Sequence, residues 1–317
     1  MPKQDIATNV VDQFVEENKQ DGMRVFVAGG ARSGADSIYV KEAYRLGQLI
    51  AGMEFKLDFG LSSSGIMGAV AKGVLDCWKQ KNLPKSQAIQ GITTKEYYSL
   101  YETDNILNQI EDVIVTQSLE ERKQKLLDAD FIVFAPGGVG TLDELAYDCV
   151  AMQDGFLQIK PFILFNVNGY FHHLVEYLKS IAVEGFADSI PFIVVDDSEE
   201  MGVIFELLKM RYKKGTTTKQ VYASTRQLIY ELPYFIKQVQ EGFSVEEISK
   251  KLTNTSYHGT SEERQELAND IERAYLEKEI ERMYERLSQT GRDTATVSNK
   301  LSDLKKRKKE NYNFCPL

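Results

Sequence analysis

Phe131-Ile132-Val133-Phe134-Ala135-Pro136-Gly137-Gly138-Val139-Gly140-Thr141-Leu142-Asp143-Glu144 joins an unbroken apolar run to a glycine-rich turn and then to an amphipathic segment. A run of Phe, Ile and Val without polar alternation suits a strand buried on both faces, the habit of parallel sheets covered by helices. Three glycines let the main chain approach an anion closely and turn its N–H groups inward. The helix that follows adds about half a positive charge at its N-terminus. Thr141 is placed to cap that helix and to offer a hydroxyl, and Glu144 falls in its first turn beside the same ligand. A carboxylate there also complements the helix dipole, and the turn alone does not decide between the two readings.

Outward from this stretch the same alternation repeats. Arg24–Ala28, Phe55–Phe59, Val113–Thr116, Pro161–Phe165 and Phe192–Val195 are further short apolar runs. Between the runs lie amphipathic segments at 37–53, 66–81, 119–128, 141–154, 171–184 and 199–210. Strand and helix in alternation predict an α/β fold, a doubly wound parallel, Rossmann-like sheet with right-handed crossovers. After residue 212 no convincing strand follows. Segments 220–241, 244–252 and 261–288 read as helices, the last with Ser261 as its N-cap but no full capping box. The expected organisation is an arm or helix at 1–22, a nucleotide-binding α/β domain at 23–212, and an all-helical extension at 213–317.

Composition narrows the function. Hydrophobic residues are 43% and charged residues 27% of the 317, ordinary for a globular chain. No apolar run reaches the ~18–20 residues of a membrane span, and the polar, acidic N-terminus does not read as a signal peptide, so no membrane partner is expected. Three cysteines (Cys77, Cys149, Cys315) and three histidines (His172, His173, His258) lack metal-like spacing. They predict no metal, no disulfide framework and a reducing, cytoplasmic setting. Residues 1–210 carry 18 basic and 31 acidic side chains, and residues 211–317 carry 20 and 16. An acidic body does not suit a nucleic-acid partner, and the Lys305–Lys309 run reads as a solvated terminal cluster. An anionic ligand must therefore be held by backbone donors and a few placed cations.

Three more segments fit that requirement. Ser118-Leu119-Glu120-Glu121-Arg122-Lys123 opens a helix with adjacent cations early in it, either to meet an acidic ligand or to pair with nearby acids. Ala28-Gly29-Gly30-Ala31-Arg32-Ser33-Gly34 follows the first strand but is not G-x-G-x-x-G. It keeps the P-loop glycine spacing of Gly29 and Gly34, yet Ala35 stands where that loop needs lysine. Gly60-Leu61-Ser62-Ser63-Ser64-Gly65-Ile66-Met67-Gly68 is another flexible turn into a helix. All of these lie where a doubly wound sheet binds ligands, beyond the carboxyl ends of its strands.

These motifs, in this order, resemble the Lonely Guy phosphoribohydrolases, a family long labelled as lysine decarboxylases. PGGVGTLDE at 136–144 is similar to the family's P-G-G-x-G-T-x-x-E, and SLEERK at 118–123 resembles its S-M-H-E-R-K. Ile66-Met67-Gly68, Lys160-Pro161, Asn166–Tyr170 and Glu184-Gly185-Phe186 extend the likeness over about residues 23–210. The sequence departs from the family at 28–31, at Leu61-Ser62 in place of glycines, and at Ala151 in place of tryptophan. The resemblance implies hydrolysis of the N-glycosidic bond of a nucleoside 5′-monophosphate, AMP-like or cytokinin-like, without a cofactor. It implies Arg122 and Glu144 as the catalytic pair. Gly137, Gly138, Val139, Gly140 and Thr141 would cradle the phosphate, with Lys123, Gly29, Ser33 and Met67 contributing to binding. It also implies a homodimer or larger homo-oligomer. A non-catalytic nucleotide-binding or signal-sensing module would use the same cradle, but it would not need the Arg122–Glu144 pair.

Overall fold

The structure, a computed structural model, describes residues 23–79, 85–98, 106–156, 160–187, 192–211 and 218–289. The expected N-terminal arm, the Lys305–Lys309 run and Cys315 lie outside the described residues. Among the described residues there are seven strands: β1 (Arg24–Ala28), β2 (Lys56–Phe59), β3 (Ile89–Thr94), β4 (Asp112–Thr116), β5 (Phe131–Phe134), β6 (Phe162–Phe165) and β7 (Phe192–Val195). Their order in the sheet is β4-β3-β2-β1-β5-β6-β7, and the pairings from β4 through β6 are all parallel. The chain is an α/β protein with a doubly wound sheet, as its alternation predicts. It divides into two compact units, Met1–Phe165 and Asn166–Leu317.

In the first unit the helices are α1 (Ser37–Gly52), α2 (Gly65–Trp78), the short α3 (Lys95–Tyr98), α4 (Leu119–Leu126) and α5 (Val139–Gln153). β5, β6 and β7 form where the sequence is uninterruptedly apolar, while β1 to β4 admit polar residues such as Arg24, Asp58, Gln90 and Asp112. Every residue of β5 is buried, and edge-on ring contacts of Phe55 with Phe131 and of Phe134 with Phe162 fill the layers around it. α1 and α2 pack with their backbones touching. A Cβ on Gly47 would fall 2.1 Å from the Val70 carbonyl oxygen, and one on Gly73 would fall 2.1 Å from that of Tyr44.

One strand was not legible. The sequence reading places no strand between the helix expected at 66–81 and the strand expected at Val113–Thr116, whereas residues 89–94 form β3, inserted between β2 and β4. Gln90 and Gly91 break the apolar run and the threonines weaken it, yet Gly91 is required by close packing against a neighbouring side chain. β4 becomes the edge strand, and its outward Val115 is exposed.

The second unit holds β7 with helices α6 (His172–Val183), α7 (Ser198–Arg211), α8 (Thr218–Gln240), α9 (Val245–His258) and α10 (Ser261–Gln289). α10 is fastened by charge. Arg282 Nε lies 3.0 Å and Lys278 Nζ 3.0 Å from Asp196 Oδ2, and Lys278 also meets Glu200 Oε1 at 2.6 Å. Burial alone would raise the Asp196 carboxyl, but Arg282 and Lys278 hold it below its ordinary value. The cap of α10 differs from expectation. Thr260, not Ser261, exchanges hydrogen bonds with Glu263 in a full capping box, because the carboxylate that answers the cap lies three residues after Thr260. Ser244 and Glu247 do the same for α9.

Candidate active site

The strand order reverses between β1 and β5, so a crevice opens at their carboxyl ends. There the backbones are stitched directly: Ala135 N–H donates to the Ala28 carbonyl at 2.8 Å, and Gly30 N–H to that of Pro136 at 3.0 Å. Such an approach leaves no room for side chains. A Cβ on Gly30 would stand 3.1 Å from the Gly137 Cα, and one on Gly137 would stand 2.1 Å from Thr141 Oγ1 and 2.8 Å from the Gly30 nitrogen.

Gly138 and Gly140 are different. A methyl on either would meet nothing among the described residues within 4 Å, and Gly138, Val139 and Gly140 are all exposed. Helix α5 begins at Val139, two residues before the expected start, with Gly138 as its N-cap. Thr141 is therefore not the cap. It lies inside the first turn, buried against Gly137, because the glycine pair allows the helix to start early. Among the described residues no side chain caps α5, which leaves its first-turn amides without the usual side-chain acceptor there.

Arg122 and Glu144 come together beside this turn. Ser118 caps α4 by accepting from Glu121 N–H, which starts the helix so that Arg122 leaves from its second turn. The guanidinium is fixed by main-chain oxygens: Nε donates to Ile92 O at 3.1 Å and Nη2 to Gly60 O at 3.2 Å. Its Nη1 faces Glu144 Oε1 at 3.6 Å, close enough for charge pairing and too far for a hydrogen bond. Among the described residues the Glu144 carboxylate accepts no hydrogen bond. Burial pushes its carboxyl above the ordinary value, Arg122 pulls it back, Asp143 adds to the rise and Lys123 opposes it.

The remaining expected residues divide. Lys123 is engaged by Asp143, Nζ to Oδ2 at 2.6 Å, and lies over the Tyr147 ring at 5.3 Å to its centroid. Met67 is half-buried next to the Arg122 seat, with its sulfur 3.3 Å from where a Gly60 Cβ would stand. Its N–H and that of Ile66 donate to Gly30 O, so the start of α2 is occupied by the protein itself. Gly29 is buried against Ile66. Ser33 is exposed, and no hydrogen bond among the described residues joins it to the 137–141 turn. Sequence reasoning missed the carbonyls of Gly60 and Ile92, which hold the arginine; Gly91, lodged in a β-branched run, was the one available signal.

Residues 67–202 match the family model described as "Possible lysine decarboxylase". The probable cytokinin riboside 5′-monophosphate phosphoribohydrolase LOGL1 of Oryza sativa subsp. japonica is 30% identical over 166 residues, 51% of this chain and 68% of that protein. The chain belongs to the Lonely Guy family. Cytokinin riboside 5′-monophosphate phosphoribohydrolase LOG2 of Arabidopsis thaliana is 27% identical over 198 residues, 62% of this chain and 86% of that protein. Among solved structures, a molybdenum cofactor carrier protein of Chlamydomonas reinhardtii is 18% identical with a TM-score of 0.42, over 59% of this chain and 98% of that one.

Proposed function

We propose that this Lonely Guy protein hydrolyses the N-glycosidic bond of a nucleoside 5′-monophosphate, releasing the free base and ribose 5-phosphate. The observation that carries the reading is the Arg122–Glu144 pair, 3.6 Å apart, beside an uncapped glycine turn at the switch point of the sheet. The turn supplies main-chain N–H donors and the positive end of α5 for a phosphate. Gly138 and Gly140 have no packing reason to be glycine, which supports a ligand as the body that needs the space.

In the reaction one water is consumed. Its oxygen bonds to C1′ as the C1′–N bond breaks, the base leaves with the electron pair and takes a proton, and the sugar keeps the hydroxyl. Positive charge develops on the ribose ring and negative charge on the base. Glu144 offers an unengaged carboxylate to stabilise the first and to orient and deprotonate the water. Arg122 keeps Glu144 in place and offsets charge on the leaving side. Lys123, paired with Asp143, ties α4 to α5 and so supports the pair. A nucleotide sensor would need the cradle alone; the retained acid and guanidinium favour the hydrolase.

A chromatographic assay against a panel of 5′-monophosphates, run beside the matching nucleosides, tests this. Free base is expected only from the phosphorylated set. Equal cleavage of both sets would remove the assigned cradle, and no cleavage of any member would remove the hydrolase reading.

A further inference from the structure

Leu61 has φ of +54°, a left-handed conformation that an L side chain adopts only at a cost, and it is 1% exposed. Strain at a buried side chain persists when its surroundings hold it there, and here the holder is identifiable. Gly91 on β3 presents a bare Cα to Leu61: an added Cβ would stand 2.3 Å from Leu61 Cδ1, 3.2 Å from Cγ and 3.4 Å from Cβ. The leucine thus occupies the place a side chain at 91 would take. Its position along the chain matters as much. Leu61 follows Gly60, whose carbonyl receives Arg122 Nη2, and Gly91 precedes Ile92, whose carbonyl receives Arg122 Nε. β2 and β3 pair with Phe59 opposite Gly91, so the leucine bridges the two strands just where they release those carbonyls.

We propose that Leu61 and Gly91 form a lock that sets the two carbonyls holding Arg122 and thereby aims its guanidinium at Glu144; both are positioning residues for the hydrolysis proposed above, on which this inference rests. The seat has no slack. A Cβ on Gly60 would stand 2.2 Å from Arg122 Nη2, so the arginine lies flat on the strand end, and a shift of that backbone moves it directly. The charged groups acting on Glu144 are Arg122 and Lys123 from α4 and Asp143 on its own helix. Of these, Arg122 alone is held by the locked backbone.

The test uses Gly91→Ala, Leu61→Ala and the double variant, each checked for fold by circular dichroism. The Glu144 carboxyl is titrated by NMR in carbon-labelled full-length protein, and kcat and KM are measured separately on the best nucleotide. Gly91→Ala forces the leucine out and should raise the Glu144 midpoint by about one unit, the low end of what an adjacent opposite charge supplies. It should lower kcat ~10- to 100-fold at a KM changed far less, as a misplacement of about 1 Å in a reacting constellation does. Leu61→Ala loosens the same carbonyls and should move both readouts in the same direction, so it decides the matter if Gly91→Ala does not fold. In the double variant the alanine methyl at 91 takes the vacated space, and both readouts should return most of the way. A Glu144 midpoint unchanged in the folded single variants, or a double variant no better than Gly91→Ala, overturns the lock. The titration needs no substrate: if the wild type cleaves nothing, the hydrolase reading falls and the midpoint still decides the lock.

Discussion

Replacing Asp148 with asparagine is expected to stabilise the first unit at pH 8 and to leave it unchanged in acid. Asp148 lies one turn beyond Glu144 on α5, has no exposed surface, and among the described residues neither of its carboxyl oxygens has a hydrogen-bond partner. Burial pushes its carboxyl from 3.8 up to about 7, against a smaller pull from Lys160, whose ammonium donates to the Leu127 and Ala129 carbonyls. The sign follows from where the proton is bound. Between 3.8 and about 7 the unfolded chain releases the proton while the folded chain keeps it. Stability from this group is therefore complete below 3.8 and is lost as the pH rises through about 7. A gap of about three units at ~1.4 kcal/mol each comes to about 4 kcal/mol lost by pH 8. Asparagine has nearly the same shape and no proton to lose. Urea unfolding followed by the fluorescence of Trp78, the single tryptophan and buried on α2, reads this unit. The variant and the wild type should coincide near pH 4 and diverge by several kcal/mol at pH 8. A difference that is the same at both pH values refutes the argument.

Glu144→Gln and Arg122→Ala should each lower turnover at least ~100-fold with circular dichroism unchanged, since each removes one placed electrostatic group; near-normal turnover in either would remove the mechanism. Gly138→Ala and Gly140→Ala should fold normally and raise the KM for nucleotides, whereas Gly137→Ala, whose methyl meets Thr141 and Gly30, should lower the thermal midpoint as well. Arg282→Ala leaves Asp196 short of its strongest partner and should destabilise the second unit by about 3 kcal/mol at neutral pH, measured by denaturant titration. Because the Asp196 carboxyl is held below its ordinary value, that contribution exists above the carboxylate range and fades as pH falls through it, so the penalty should shrink in strong acid.

Much of the fold is legible because β5, β6 and β7 are pure apolar runs and β1 is one after Arg24, and a residue string of that kind has few alternatives once helices alternate with it. β3 escaped because its stability comes from pairing on both sides, which leaves no mark in local pattern, and from a glycine that admits a neighbour's leucine, which in the local pattern only interrupts the apolar run. Of the candidate site, the meeting of Arg122 and Glu144 is legible by residue type, and the structure brings the two within 3.6 Å. What could not be read is the division of labour among the glycines. Gly137 and Gly140 look alike in sequence, yet the first is demanded by Thr141 and Gly30 and the second by nothing among the described residues. Thr141 resembles a cap and is a buried first-turn residue, since the true start of α5 depends on how tightly the β1 and β5 ends approach.

The 3.6 Å separation of Arg122 and Glu144 is set by the sheet and not by the attraction between them. A guanidinium free to move would close on a half-buried carboxylate in a two-toothed pair and occupy its lone pairs. Here two of the three guanidinium nitrogens are already spent on Gly60 and Ile92 carbonyls, so the third can face Glu144 without reaching it. The carboxylate gains the charge compensation that burial makes necessary, and its oxygens stay open, as the proposed reaction requires. The hydrolysis proposed above calls for a base that is charge-compensated and unoccupied at once, and both needs are served when the arginine is anchored to β2 and β3 while the glutamate rides on α5.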